Sequence, residues 1–175
     1  MMSRPLKLAL VTRHYPPLIG GAEKVLSYLA AALASAGADV TVVTSRVPGL
    51  GLAAQEVEPV ASSKNAGLKG HVSPGGLRIV RLETSRLRFW GTWRYMHNLE
   101  RWFYENQVDL AYVSMLKHDA HVAVMAGERL GFPVVLRPEG AGATGDLAWQ
   151  SWGHFGRSIG LACRRANALD RKSVV

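Results

Sequence analysis

One cysteine in 175 residues, Cys163, leaves no partner for an internal disulfide. That excludes the cystine-stapled scaffolds of small secreted domains and makes a reducing, cytoplasmic setting the expectation. Long apolar runs are missing as well. The uncharged stretch at residues 25–38 is short of the roughly 20 residues that cross a bilayer, and it carries Ser27, Ser35 and Gly37. Arg4 and Lys7 precede an apolar run of only residues 8–11, too short for the core of an export signal. Acidic residues are in deficit, 13 against 21 Lys and Arg, for a formal charge of +8. Such a field attracts phosphates, anionic lipid headgroups and acidic substrates. The basic residues form no block, since only Arg164-Arg165 and Arg171-Lys172 are adjacent, so no nucleic-acid partner is expected. His97, His118, His121 and His154 lack an i, i+4 pairing with an attendant carboxylate, and no metal is expected.

What is present is a hydrophobic content of 48%, enough at this length for one ordinary domain. The whole of residues 1–175 is read as a single domain. Residues 6–12 (LKLALVT) and 39–44 (DVTVVT) are apolar or β-branched runs that suit strands buried on both faces. Between them Val25, Leu26, Leu29 and Leu33 recur at helical spacing. Glu23 falls in the first turn of that helix and Gly37 just past its end. Residues 47–76 turn to Gly, Pro, Ser and Ala and predict a long flexible insert. A strand at 77–82 follows, then an aromatic and basic stretch to residue 104 with Met96, Leu99 and Phe103 on one helical stripe. The pattern continues as a strand at 108–114, a helix at 119–130 closed by Gly131 and Pro133, a strand at 133–137 and a helix at 155–168. This alternation predicts an α/β fold, a doubly wound Rossmann-like parallel sheet with helices on both faces. Its site is expected at the carboxyl ends of the strands.

Two loops carry candidate chemistry. After the first strand the chain reads RHYPPLIGGAEK. Pro16 and Pro17 hold it out of helix, and Gly20 and Gly21 then let the backbone approach an anion or sugar hydroxyl where helix N–H groups are unpaired. The same glycine pair also reads as a plain tight turn. His14, beside the prolines, is placed to touch a ligand. After the strand at 133–137, RPEGAGATGD offers Arg137, Glu139, Gly140 and Asp146 as cleft-lining or hydroxyl-binding groups. Ordinary loop polarity, with Asp146 capping a helix, is the other reading. Gly140, Gly142 and Gly145 also spell G-x-G-x-x-G, which admits a dinucleotide-binding oxidoreductase. That fingerprint should open a helix directly within a βαβ unit, with an acid about 20 positions on. Asp170 is near that distance but lies in no evident strand.

In KLALVTRHYPPLIGGAEKVLSYLAAALASAGADVTVVTSR, strand, Pro-Pro, Gly-Gly, acid, amphipathic helix and second strand occur in order. This segment resembles the opening of family 4 glycosyltransferases. The likeness spans residues 7–46 and, less closely, 108–146, whereas 47–104 falls where such enzymes vary. It implies a GT-B fold, of which this chain is the N-terminal half that holds a sugar or lipid-linked acceptor. A C-terminal domain would hold the nucleotide sugar, and transfer would retain anomeric configuration without a metal or other cofactor. Gly20 and Gly21 would offer N–H groups to the donor phosphates or the acceptor. The family's donor motif belongs to the other domain, so the expectation is a truncated or split enzyme, inactive alone and with no assigned catalytic residue. Residues 164–169 resemble the helix and strand before the interdomain crossing, but 170–175 lack the expected apolar strand. Where many members carry a histidine before the glycine that follows the strand at 133–137, this sequence has Glu139. A non-catalytic Rossmann-like binding module is the alternative.

Residues 86–95 (RLRFWGTWRY) suit either a peripheral contact with the inner face of a membrane or a helix packing its aromatics on the sheet. His118 and His121, at a helix start, read as solvated or capping groups. Cys163 reads as a buried apolar residue and not a nucleophile.

Overall fold

A computed structural model describes residues 4–17, 20–47, 49–58, 77–85, 88–140 and 145–170. In chain order its elements are β1 (Lys7–Val11), α1 (Gly21–Ser35), β2 (Asp39–Ser45), β3 (Gln55–Glu58), β4 (Leu77–Leu82), α2 (Arg88–Glu105), β5 (Leu110–Ser114), α3 (His118–Leu130), β6 (Val134–Arg137), α4 (Asp146–Gln150), α5 (Gly153–Cys163) and β7 (Ala168–Leu169). Among the described residues seven strands form one sheet in the order β3-β4-β2-β1-β5-β6-β7. Every pairing is parallel except that of β3 with β4. With the antiparallel edge strand set aside, the winding runs outward from β1 in one direction and then from β5 in the other. This is the doubly wound order, whose crevice opens beyond the carboxyl ends of β1 and β5.

Strand alternation assigns the layers. Leu8, Leu10, Val40, Val42 and Ile79 pack with Leu26, Ala30 and Ala34 of α1 on one face. Ala9, Val11, Ala111, Val113, Val134 and Leu136 pack with Tyr95, Leu99 and Phe103 of α2, Ala120 and Ala123 of α3, and Ile159 and Cys163 of α5 on the other. α1 ends as its sequence predicts: Gly37 sits at φ 96°, its N–H donates to the Ala34 carbonyl at 3.0 Å, and the Ala38 N–H reaches the Leu33 carbonyl at 3.1 Å. That is a Schellman closure, which needs a residue tolerant of the left-handed region. Because α2 and α3 follow β4 and β5, and α5 precedes the parallel β7, all three helices start at the carboxyl edge of the sheet.

Three expectations are corrected. The predicted flexible insert at 47–76 contains β3, held by the buried Arg81 of β4, whose guanidinium donates to Glu56 at 2.8 Å and to the Ala53 carbonyl; Pro48 and residues 59–76 lie outside the described residues. The last helix ends at Cys163 and not at residue 168. Asn167 pulls the chain into the sheet by exchanging bonds with Val134: its backbone N–H donates to the Val134 carbonyl at 3.0 Å and its side-chain oxygen accepts the Val134 N–H at 2.8 Å. Asp170 therefore does follow a strand, β7. Among the described residues no helix is long and apolar enough to cross a membrane.

Candidate functional site

The loop after β1 is pinned on three sides. Ser45 at the end of β2 donates its N–H and its hydroxyl to the Arg13 carbonyl, at 3.4 and 2.6 Å. The Thr12 hydroxyl donates to the His14 carbonyl at 3.0 Å, and Tyr15 is buried in the α1-side core. Pro16, joined to Pro17 by a cis peptide bond, has its carbonyl 3.4 Å from an Arg81 donor. These ties leave His14 exposed and deliver the chain to Gly20, the extended residue that begins α1 without any side-chain cap. A Cβ on Gly20 would collide with the Glu23 carboxylate, which folds back over the helix start. Glu23 thus supplies a negative charge where the helix dipole favours one, and Gly21 beside it faces open space. The His14 pKa is lowered by desolvation and by the Arg13 charge, against Glu23.

The loops after β5 and β6 are tied to each other. Asp146, only 1% exposed, accepts the Leu116 N–H at 3.2 Å and the Glu139 N–H at 2.9 Å through one carboxylate oxygen. Its other oxygen lies 3.7 Å from the Lys117 ammonium. Gly145, not Asp146, occupies the cap position of α4, so the capping expectation is corrected. Gln150 adds a bond to the Leu116 carbonyl at 2.9 Å. Arg137 and Glu139 are both largely buried, with Arg137 Nε 3.2 Å from Glu139 Oε1, a contact of opposite charges that lacks hydrogen-bond alignment. Glu139 Oε1 also accepts the Ser114 hydroxyl at 2.9 Å. Beside them the Tyr112 hydroxyl donates to Asp170 at 2.5 Å, and burial followed by this bond pushes the Tyr112 pKa up to about 12. Gly140 is exposed at the rim. Gly142 lies outside the described residues, Gly145 opens a helix of only five residues, and Asp170 is engaged by Tyr112.

Between these loops lies a group that sequence reasoning passed over. The Arg13 guanidinium sits 4.3 Å above the centre of the Tyr95 ring. Tyr95 is fully buried, Asp119 in the first turn of α3 is 3% exposed, and the two interact, although among the described residues neither the Tyr95 hydroxyl nor Asp119 Oδ1 is in a well-aligned hydrogen bond. Burial raises the Asp119 pKa to about 6 against the opposing charges of Arg13 and Lys117. His118 is not the solvated or capping group expected. Its ring is 4.9 Å from that of Trp149 and 5.3 Å from that of Phe155, and burial, then Arg13 and Lys117, depress its pKa to about 4. It is a neutral imidazole at physiological pH. A cavity at the opposite edge, lined by Lys7, Asp39, Arg78 and Trp102, is at the amino-terminal end of the strands, the wrong end for a doubly wound site.

A family model described as the glycosyl transferase 4-like domain matches residues 20–173. The chain belongs to that family. The match to this glycosyl transferase 4-like domain begins at Gly20 and takes in both candidate loops from there on. No curated protein matches the chain at a significant level.

The predicted residues fall into two groups, all but His14 inside the span matched by the glycosyl transferase 4-like domain. His14, Gly20 and Gly21 stand at the end of β1, and Arg137, Glu139, Gly140 and Asp146 at and beyond the end of β6. The loop after β5 lies between them and is bonded to the second group. One signal for it was available: Lys117, His118 and Asp119 follow directly on a predicted strand end, where the fold places function. Cys163 is buried, with its thiol pKa pushed up to about 11 by burial and then by Asp146, which suits a packing role.

Proposed function

We propose that this domain holds the acceptor in a retaining sugar transfer from a nucleotide sugar, the donor being held by a second Rossmann-like domain facing the carboxyl edge of the sheet. The observation that carries the reading is the junction of an uncapped helix start at Gly20-Gly21 with the crevice at the strand reversal between β1 and β5. Backbone N–H groups there can serve a ligand oxygen that takes the place of the Glu23 carboxylate now folded over the helix start. His14, exposed and held toward its neutral form, lines the same opening. Arg137, Glu139 and Asp146 bond mainly to protein groups, so their part is to shape the wall, with Gly140 at its rim. The reading involves no metal or other cofactor and assigns no catalytic residue in this chain. The acceptor is a sugar or a lipid-linked sugar, and the domain works in the cytoplasm, in peripheral contact with the inner face of a membrane through Trp90 and Trp93.

The test is an amide NMR titration of the 175-residue chain with neutral glycosides and with nucleotide sugars, followed by an assay for sugar transfer. Glycosides are expected to shift the Gly20, Gly21 and His14 resonances, with no transfer by the chain alone. Shifts confined to the amino-terminal edge, or turnover by the isolated chain, would overturn the division of labour.

A further inference from the structure

The Arg13 cluster has no task in that reading. Ala9 and Val11 point into the α2, α3 and α5 core, and Arg13 continues the same alternation, so its head group lies across the sheet from the Gly20-Gly21 start of α1. Among the described residues the Arg13 guanidinium makes no ion pair and no side-chain hydrogen bond; it rests on the face of Tyr95. Guanidinium stays charged and carries five N–H donors that match a carboxylate or phosphate. It is only partly exposed, so bulk water does not fully serve those donors.

Near it Asp119 is a carboxylate buried at a cost, with one oxygen in no well-aligned hydrogen bond among the described residues. A buried carboxylate held at a cost beside a cation in a cleft marks a candidate site. The charges facing Asp119 are Arg13 from the end of β1 and Lys117 from the start of α3, with the Tyr95 hydroxyl approaching from α2. Lys117 is itself 3.7 Å from Asp146, which leaves Arg13 as the cation without a committed partner.

We infer that Arg13, seated on Tyr95, recognises an anionic group, a carboxylate or phosphate, carried by the acceptor sugar, and that the nearby charge of Asp119 modulates that recognition. The inference rests on the acceptor-holding reading above and narrows it to acidic or phosphorylated acceptors. The buried ring of Tyr95 supports the Arg13 guanidinium and lowers the entropic cost of binding. Protonation of Asp119 leaves the Arg13 charge uncompensated, so affinity for an anion of constant charge rises as pH falls through about 6.

The experiment is a set of NMR titrations of the full chain with three probes: methyl α-glucuronide, methyl α-glucoside and inorganic sulfate, the charges of glucuronide and sulfate being constant between pH 5.5 and 8 within about 10%. Glucuronide is expected to bind about tenfold more tightly than glucoside and to shift the Arg13 Nε–H resonance. Arg13→Gln should abolish that advantage and keep glucoside binding, Arg13→Lys should retain part of it, and Arg101→Gln on the far end of α2 should change nothing. Asp119→Asn should bind glucuronide with a weaker pH dependence than the wild type, and Asp119→Asn with His14→Gln should remove the dependence, an effect a purely structural role would not produce. A folded Arg13→Gln variant with wild-type preference for glucuronide overturns the inference and leaves the acceptor reading intact. Sulfate binding as tightly as glucuronide also overturns it, since the site then takes free anions. Failure of both sugars to bind the wild-type chain overturns the acceptor reading and this inference with it.

Discussion

Two neighbouring residues at the start of α3 are displaced in opposite directions by the same burial. His118 is held neutral and Asp119 is held toward its protonated form. For Asp119 the pKa rises from 3.8 in the unfolded chain to about 6 in the fold. Its contribution to stability is therefore fully present below pH 4 and is lost as pH rises through 6. For His118 the pKa falls from 6.5 to about 4, so its contribution is present above pH 6.5 and is lost as pH falls through 4. Replacing Asp119 with Asn removes the first effect alone. Asp119→Asn should exceed the wild type in stability at pH 8 by up to roughly 3 kcal/mol, since each tenfold change in proton affinity is worth about 1.4 kcal/mol. The difference should shrink to nothing by pH 4. Urea unfolding at both pH values measures it, and a pH-independent difference would mean that the Asp119 carboxylate is not the titrating group.

At the scale of elements, the loops of the candidate site owe their shape to charged groups that bond backbone far away in sequence. Asp146→Ala leaves the N–H groups of Leu116 and Glu139 without their acceptor, at a cost of about 2 to 3 kcal/mol for two buried donors. Hydrogen exchange should quicken at Leu116 and Glu139 and stay unchanged in the β1 and β2 ladder, and Asp146→Asn, which keeps an acceptor oxygen, should restore part of the protection. Arg81→Ala removes the tie from β4 to Glu56 and to the Pro16 carbonyl. Glu56 is half-exposed and can return to water, so the expected loss is modest, about 1 to 2 kcal/mol, with faster exchange confined to β3 and the loop after β1. These ties mark the boundary of what could be read in advance. β1, β2, β4, β5 and β6 were legible because strands buried on both faces must be written as apolar runs. QEVE at β3 has one apolar residue and depends on Arg81 of its neighbour β4, 25 residues further along the chain, and the two-residue β7 depends on Asn167, so neither leaves a local pattern. Gly20 and Gly21 were legible because turn chemistry is local. Arg13, Tyr95 and Asp119 come together from three elements, and beyond the place of Asp119 just after a predicted strand no local pattern announces the meeting.

At the scale of the whole molecule, the helical layer over α2, α3 and α5 begins along one rim, and that rim is aromatic. Trp90 and Trp93 in the first turns of α2 are 64% and 61% exposed, although Tyr95, Leu99 and Phe103 of the same helix are buried. The aromatics of α2 thus divide between the sheet and the outside, instead of all packing inward. The two indoles meet edge to face at 6.1 Å, and Trp93 stacks on His97. Across the start of α3, Leu147, Trp152 and Phe155 are also exposed. Indole rings favour the headgroup layer of a bilayer, and a chain of net charge +8 is drawn to an anionic surface before any ring inserts. The rim borders the crevice, so a membrane held there would present lipid-linked acceptors to the site. The chain should therefore float with vesicles containing anionic phospholipid at low salt, and release as salt rises and screens the attraction. Trp90→Ala with Trp93→Ala should lower the bound fraction several-fold while leaving the salt dependence in place, because area and charge act separately. Equal flotation by the double variant would assign binding to charge alone, and no flotation of the wild type at low salt would remove the membrane from the account.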